Sequence, residues 1–184
     1  MKHHSVDVLI IGAGLSGIGA ACHLVRKCPD LRYGIVERRR EIGGTWDLFR
    51  YPGIRSDSDM FTLGYNFRPW TGTKMLADGS SIRNYIKETA DDYDVSKHIS
   101  FGLKVTSQEW ESKKKCWIVT AYNEKSGENE IFIASFLINC TGYYNYDSGY
   151  TPEIPGISNF SGDIIHPQNW PENYDYSGKR VVVI

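Results

Sequence analysis

Val6-Asp7-Val8-Leu9-Ile10-Ile11-Gly12-Ala13-Gly14-Leu15-Ser16-Gly17 is the stretch that decides the fold. Its first half is a short, almost wholly apolar run, the kind of strand that lies buried on both faces inside a parallel sheet. Its second half spells G-x-G-x-x-G. From Leu15 to Lys27 the chain is rich in alanine and small residues and reads as a helix, which Cys28-Pro29-Asp30 ends. Arg32 to Glu37 reads as a second strand, so the segment forms one β-α-β unit. Glycines cluster in turns by chance; a strand before them and a helix after them are what make a dinucleotide turn. Gly12 allows the tight turn, Gly14 lets the backbone approach a pyrophosphate, and Gly17 lets helix and strand pack closely. Leu15 and Ser16 begin the helix, whose free N–H groups and positive dipole end favour the phosphates. Glu37 ends the second strand 20 residues after Gly17. There it accepts hydrogen bonds from ribose hydroxyls and repels a 2′-phosphate, which favours FAD or NAD over NADP. Arg38, the next residue, is assigned to the same cofactor end.

Composition narrows the class. The chain has 184 residues, 41% of them hydrophobic, enough for one sizeable core. A formal net charge of −1 argues against nucleic acid or an anionic membrane as main partner. No run of 18 apolar residues is present, and the N-terminus lacks the apolar stretch of a signal peptide. Cys22, Cys28, Cys116 and Cys140 form no C-x-x-C pair and have no zinc-like spacing with histidine, so no metal site is expected. They read as reduced, mostly buried thiols of a cytoplasmic protein.

Residues 38–80 are rich in Gly, Pro, Asp, Ser, Arg and aromatics and show weak periodicity; so long an irregular stretch is usually functional. Ser80 to Tyr93 reads as an amphipathic helix with Ile82, Tyr85, Ile86 and Thr89 on one face. Ile99 to Val105 suggests a strand. Val105 to Glu111, Trp117 to Tyr122 and Asn129 to Ala134 read as antiparallel strands, with Lys113, Lys114 and Lys115 at a solvated hairpin tip. Ser135 to Cys140 is another buried strand and runs into Thr141-Gly142. Residues 143–178 form a loop-rich connection, and Gly178 to Ile184 reads as the start of a new strand.

The glycines cannot separate FAD from NAD. A β-α-β unit, a long loop, a three-stranded antiparallel piece and a strand ending in Thr141-Gly142 resembles the FAD domain of the flavoproteins with two dinucleotide domains. In that fold the last strand returns beside the first, its turn approaches FAD, and the antiparallel piece covers the sheet. The loop residues sharpen the resemblance. Gly43-Gly44-Thr45-Trp46, four residues, Tyr51-Pro52-Gly53, three residues and Asp57 is similar to the long fingerprint of the Baeyer–Villiger monooxygenases. Phe160-Ser161-Gly162, three residues, His166, three residues and Trp170-Pro171 is similar to their short one. The related N-hydroxylating flavin enzymes usually carry Phe or Tyr where Trp170 stands. Flavin disulfide reductases share the fold, but they place a redox cysteine where this chain has Trp46, and no cysteine stands between 28 and 116.

The resemblance implies a Rossmann-like α/β FAD domain at residues 1–145, an interdomain connection at 146–178, and at 179–184 the first strand of an NADPH-binding domain. It implies oxygenation of a small-molecule substrate by O2, with NADPH reducing the flavin and a flavin peroxide as oxidant. Baeyer–Villiger attack on a ketone is the leading reading. Oxygenation of N or S atoms is one alternative, and a non-catalytic FAD module or relic is another. By the same resemblance Gly44, Thr45 and Trp46 lie along the flavin, with Trp46 as an apolar wall. Asp57 is the catalytic candidate, Arg55 touches NADP, Val105 meets the adenine, Thr141 and Gly142 approach FAD, and His166 couples domain movement to NADPH. A second glycine turn after Ile184 is expected in a longer enzyme, so the 184 residues alone are expected to hold FAD weakly without turning over.

Overall fold

A computed structural model describes residues 2–184. The first strand, β1 (Lys2–Ile11), runs directly into the glycine turn and then helix α1 (Leu15–Lys27), followed by strand β2 (Tyr33–Glu37). Two one-turn helices, α2 (Thr45–Leu48) and α3 (Met60–Leu63), punctuate the long loop before α4 (Gly79–Asp92). Four strands complete the order: β3 (Ile99–Phe101), β4 (Leu103–Glu111), β5 (Cys116–Asn123) and β6 (Glu128–Asn139).

All six strands join one sheet in the order β3-β2-β1-β6-β5-β4. The first four are parallel to one another. Ile10 stands opposite Ile35 on β2 and opposite Ile138 on β6, which makes β1 the centre of the parallel part. β4 and β5 are antiparallel, and β5 pairs with β6 over Glu128–Ala134. Strand β6 is therefore shared between the parallel sheet and the meander, as the expected return of the last strand beside the first requires.

Side-chain alternation gives the sheet two apolar faces. On one, Val8, Ile10 and Ile35 pack with Ile18 and Cys22 of α1 and with Ile82 and Ile86 of α4. On the other, Leu9, Ile11 and Val36 meet Leu103, Val119, Ala121, Phe132 and Ala134, so the meander covers this face. Helix α4 buries the face expected of it: Ile82, Tyr85, Ile86 and Thr89. Asp78 caps it by accepting the Ser81 amide, at 2.8 Å. Hydrogen bonds from Ser80 and then Ser81 hold the Asp78 carboxyl down at about 2.

Four expectations need correction. Residues 178–184 form no strand: Val181 to Ile184 are 62–91% exposed and pair with nothing among the described residues. An apolar run becomes a strand only where a neighbour satisfies its backbone. The stretches 129–134 and 135–140 are one strand, because β1 pairs along it in one register from Glu130 to Asn139, and the second stretch is not buried, with Phe136 exposed. The stretch 99–105 is two strands, since Gly102 at φ +72° turns the chain from the parallel edge into the antiparallel meander. The stretch 38–80 is not devoid of regular structure, as α2 and α3 show. No helix among the described residues is long and apolar enough to cross a membrane.

Ile10 is completely buried at the centre of the parallel strands. Ile10→Ala is expected to cost about 3 kcal/mol through lost burial and a cavity. Urea unfolding should show a lower midpoint with an unchanged slope; a loss below about 1 kcal/mol would contradict this packing.

Candidate dinucleotide site

The site starts where β1 ends. Gly12 donates its N–H to Val36 O (2.8 Å), and its φ of +103° turns the chain sharply. A Cβ on Gly12 would run into the carbonyl of Cys140, and one on Gly17 would overlap the carbonyl of Gly12. Both contacts are backbone, so neither can give way. Gly14 is the N-cap residue of α1, with no side-chain cap and no acid in the first turn. The first helical bond runs from Ile18 N to Gly14 O (3.0 Å), leaving the amides ahead of it for a ligand. Leu15 is half-buried and Ser16 exposed at this open end.

Glu37 is buried beside the turn. Its carboxylate accepts the Ala13 amide at 2.7 Å and the Arg39 amide at 2.7 Å. The glycine turn and the end of β2 are thus pinned to one side chain. Each oxygen accepts one amide and retains a second lone pair.

The turn Gly43–Thr45 faces the first one. Gly43 N bonds Ala13 O (3.1 Å), and a Cβ on Gly44 would come within 3.0 Å of Gly14 Cα. The structure therefore places the Gly12–Gly17 turn and the Gly43–Trp46 motif backbone to backbone. Trp46 is half-buried against the core, and Thr45 is half-buried at the start of α2. The residues fit a dinucleotide such as FAD: both turns carry no side chain at their closest approach, and the uncapped N-terminus of α1 lies beside them.

Asp47, which the sequence reading did not single out, organises the loop. It is 2% exposed and receives Arg39 at 2.7 Å, Arg50 at 2.6 Å and Arg83 at 3.4 Å. Burial pushes its carboxyl up, but the Arg39 hydrogen bond and the charges of Arg39 and Arg50 outweigh this and hold it below its ordinary value. Only the i,i+3 partner Arg50 was visible as spacing. Arg39 reaches Asp47 from just beyond β2, and Arg83 from α4. A pocket of about 400 Å³ opens here, lined by Arg38–Glu41, Asp47, Arg50, Glu124 and Tyr146.

Arg38 points to the connection. It pairs with Glu124 at 3.1 Å and with Asp147 at 2.5 Å, and Lys104 also bonds Asp147 at 3.1 Å. Tyr146 lies beside Arg39, and burial, then the Glu37 charge, raise its phenol. Val105 is half-buried on β4 next to Lys104, at an irregularity in the register with β5. Thr141 and Gly142 are exposed just beyond β6, with Cys140 N bonded to Ile11 O (2.8 Å), so both strand ends emerge together.

Asp57 and Arg55 are exposed in the loop between α2 and α3. Their loop is held by Ser56 N to Ala77 O (3.0 Å) and Gly79 N to Ile54 O (2.9 Å). Asp57 lies near Tyr144: the Tyr143 hydrogen bond and burial raise the Tyr144 phenol, with the charges of Tyr51 and Asp57 adding to them. Phe49 packs edge-on against both Tyr51 and Tyr144. His166 stands apart in the connection, its Nδ1 accepting Gln168 N at 3.1 Å, and Trp170 packs edge-on against Tyr174 and Tyr176. The structure does not bring His166 or Trp170 to the glycine turns. No cluster able to hold a metal ion occurs among the described residues.

A central parallel sheet, a glycine turn and an acid at the end of β2 define a Rossmann-like dinucleotide-binding fold. Residues 10–73 match the family model of the NAD(P)-binding Rossmann-like domain. Residues 73–184, more than half of the chain, match that of the flavin-binding monooxygenase-like family. The chain belongs to the flavin-binding monooxygenase-like family. It is 56% identical over 178 residues to the FAD-containing monooxygenase EthA of Mycolicibacterium smegmatis, covering 97% of this chain and 36% of that one. It is 52% identical over 184 residues to EthA of Mycobacterium tuberculosis, covering 100% of this chain and 37% of that one. An open crystal structure of cyclohexanone monooxygenase superimposes with a TM-score of 0.80 at 30% identity, covering 96% of this chain and 34% of the other. The OTEMO complex with FAD and NADP gives 0.77 at 32% identity, covering 95% and 33%. The chain spans a little over a third of the length of these curated relatives.

The sign of the acid response follows from Asp47. Its folded-state value lies below its unfolded value of about 4, so its stabilising effect is complete above pH ~4 and is lost as pH falls through the folded value. Asp47→Ala strands three guanidinium groups and is expected to cost about 3 kcal/mol at neutral pH, the low end for a buried pair because the arginines are partly exposed. The variant should also lose stability less steeply than the wild type below pH ~4. Parallel curves of stability against pH would contradict this.

Proposed function

We propose that the chain is the FAD-binding part of an NADPH-dependent flavin monooxygenase of the Baeyer–Villiger type. The observation that carries this reading is the apposition of Gly14 and Gly44, which joins a pyrophosphate turn to the Gly43–Trp46 motif. Relatives named as FAD-containing monooxygenases and a neighbour solved with FAD and NADP support it. The net reaction takes ketone, O2, NADPH and a proton to ester, water and NADP+, with one oxygen atom entering the ester. FAD supplies the transfer of electrons from NADPH to oxygen when bound.

The residues of the chain supply the rest. Gly12–Gly17 and the open end of α1 hold the pyrophosphate, and Glu37 holds the ribose diol. Arg38 closes the adenosine end through Asp147, with Val105 at the adenine and Thr141-Gly142 beside the cofactor. Thr45 and Trp46 line the flavin, and the Trp46 ring keeps water from its face. Asp57 orients the nicotinamide amide, with Arg55 at the NADP. Trp170, where the N-hydroxylating flavin enzymes usually carry Phe or Tyr, supports a ketone over a nitrogen or sulfur substrate by resemblance.

Titration of the purified chain with FAD, followed by flavin fluorescence, should show one saturable site, and Gly17→Ala should abolish it. Equal binding by Gly17→Ala would place the cofactor elsewhere. Expressed from its own gene and supplied with a ketone, NADPH and labelled dioxygen, the protein should give an ester carrying one labelled atom. Sulfoxide or N-oxide formation with no ester from any ketone would overturn the Baeyer–Villiger assignment and leave the FAD site standing.

A further inference from the structure

Four arginines, Arg38, Arg39, Arg40 and Arg50, line the pocket that opens after Glu37. Arginine at the end of the second strand is the usual means of accommodating a 2′-phosphate, and an acid there is the usual means of reading a free ribose diol. This chain has both, side by side. The structure shows which guanidinium groups are already engaged. Arg39 and Arg50 both point into the buried carboxylate of Asp47, at 2.7 and 2.6 Å, on different oxygens. Arg38 is bonded to Glu124 and Asp147.

The attachment of Arg39 is double. Its backbone N–H holds Glu37 Oε1 at 2.7 Å, while its guanidinium reaches Asp47 Oδ2 through both Nε (3.0 Å) and Nη2. Asp47 is itself fixed by its N–H to Gly44 O (3.1 Å), beneath the turn that faces Gly14. The same residue thus holds Glu37 with its backbone and ends in an ion pair with the buried Asp47. Asp47 falls among the four residues that the long fingerprint leaves open between Trp46 and Tyr51.

We propose that Asp47 is a specificity-determining residue of the dinucleotide site: by holding Arg39 and Arg50, it keeps the arginine-rich loop from binding a 2′-phosphate and leaves Glu37 to read the ribose diol. The inference rests on the reading of the glycine turn as a dinucleotide site. With Asp47 present, the pocket lining carries four cations against Glu41, Asp47 and Glu124. Neutralising Asp47 removes one of three anions and frees two guanidinium groups beside the diol. A freed guanidinium meets a phosphate as a strong, two-pronged donor.

The probes are 5′-ADP and adenosine 2′,5′-bisphosphate, titrated calorimetrically into the folded chain at fixed low ionic strength. The wild type should prefer 5′-ADP. Asp47→Asn should move the ratio of the two dissociation constants toward the 2′-phosphate by about tenfold, the scale of one charge-assisted pair. Adding Arg39→Gln should cancel most of that gain, and Asp47→Glu should restore the preference for 5′-ADP. Where Asp47→Asn does not fold, Asp47→Asn with Arg83→Gln relieves one stranded guanidinium outside the pocket and is read the same way. Parallel weakening of both probes, or an unchanged ratio, means that Asp47 only stabilises the loop, and overturns the proposal. Failure of the wild type to bind either probe overturns the dinucleotide reading itself, and this inference with it.

Discussion

Gly12 and Gly17 touch backbone to backbone with no room for a methyl group, and the site depends on that contact. It fixes where α1 leaves the sheet, and hence where its uncapped N-terminus points. The same corner touches the end of β6 at Cys140, so three elements meet within one turn of chain. Close packing of backbone against backbone permits one arrangement and no gradual relaxation, because carbonyl groups cannot move aside as flexible side chains do. The helix dipole and the amides ahead of Ile18 are aimed by this geometry before any ligand arrives.

The second constraint is electrostatic. Between β2 and α4 lies a loop of about forty residues containing only two one-turn helices. Its backbone hydrogen bonds are mostly those of short turns, with a few across the loop such as Ser56 N to Ala77 O and Met60 N to Met75 O. Besides the packing of Met60 and Ala77 in the core, buried polar groups reach across it: Glu37 to two amides, and Asp47 to two arginines of the loop itself and one of α4. A buried carboxylate is costly unless every oxygen is bonded, so such a site admits few alternative conformations. The loop is thereby held rigidly without the regular structure that would fill the space a dinucleotide needs.

What the sequence made legible follows from the range of the forces involved. The β1-α1-β2 unit, the buried face of α4 and the meander could be read because strand and helix periodicity is local and was reinforced by turn residues at each end. The continuity of β6 could not, because its second half is held by β1, more than a hundred residues earlier in the chain. The final apolar run misled for the complementary reason: Val181 to Ile184 have the composition of a strand but no neighbour among the described residues. Gly12, Gly14, Gly17 and Glu37 could be read as a candidate site because their spacing carries a mechanism, and the structure brings them to one corner. Asp47 was not, because two of its three partners are distant in sequence and its burial is decided by the fold.

This difference bears on how the site divides its labour. The fixed positions of the two glycine turns do what only missing side chains can do: they allow close approach. The positions between them are free to differ as long as the loop keeps its shape, and this chain fills one with a buried acid. Such an ion pair adds little net stability over an apolar packing of the same volume, since desolvation offsets the attraction. Its effect is instead on arrangement. Charges that would otherwise act on the ligand are spent on one another, and the arginine-rich segment Arg38–Arg40 lies beside Glu37 without dominating the potential felt there. On the proposed reading, the turns set where a dinucleotide would lie, and the buried charge between them sets which charges it would meet.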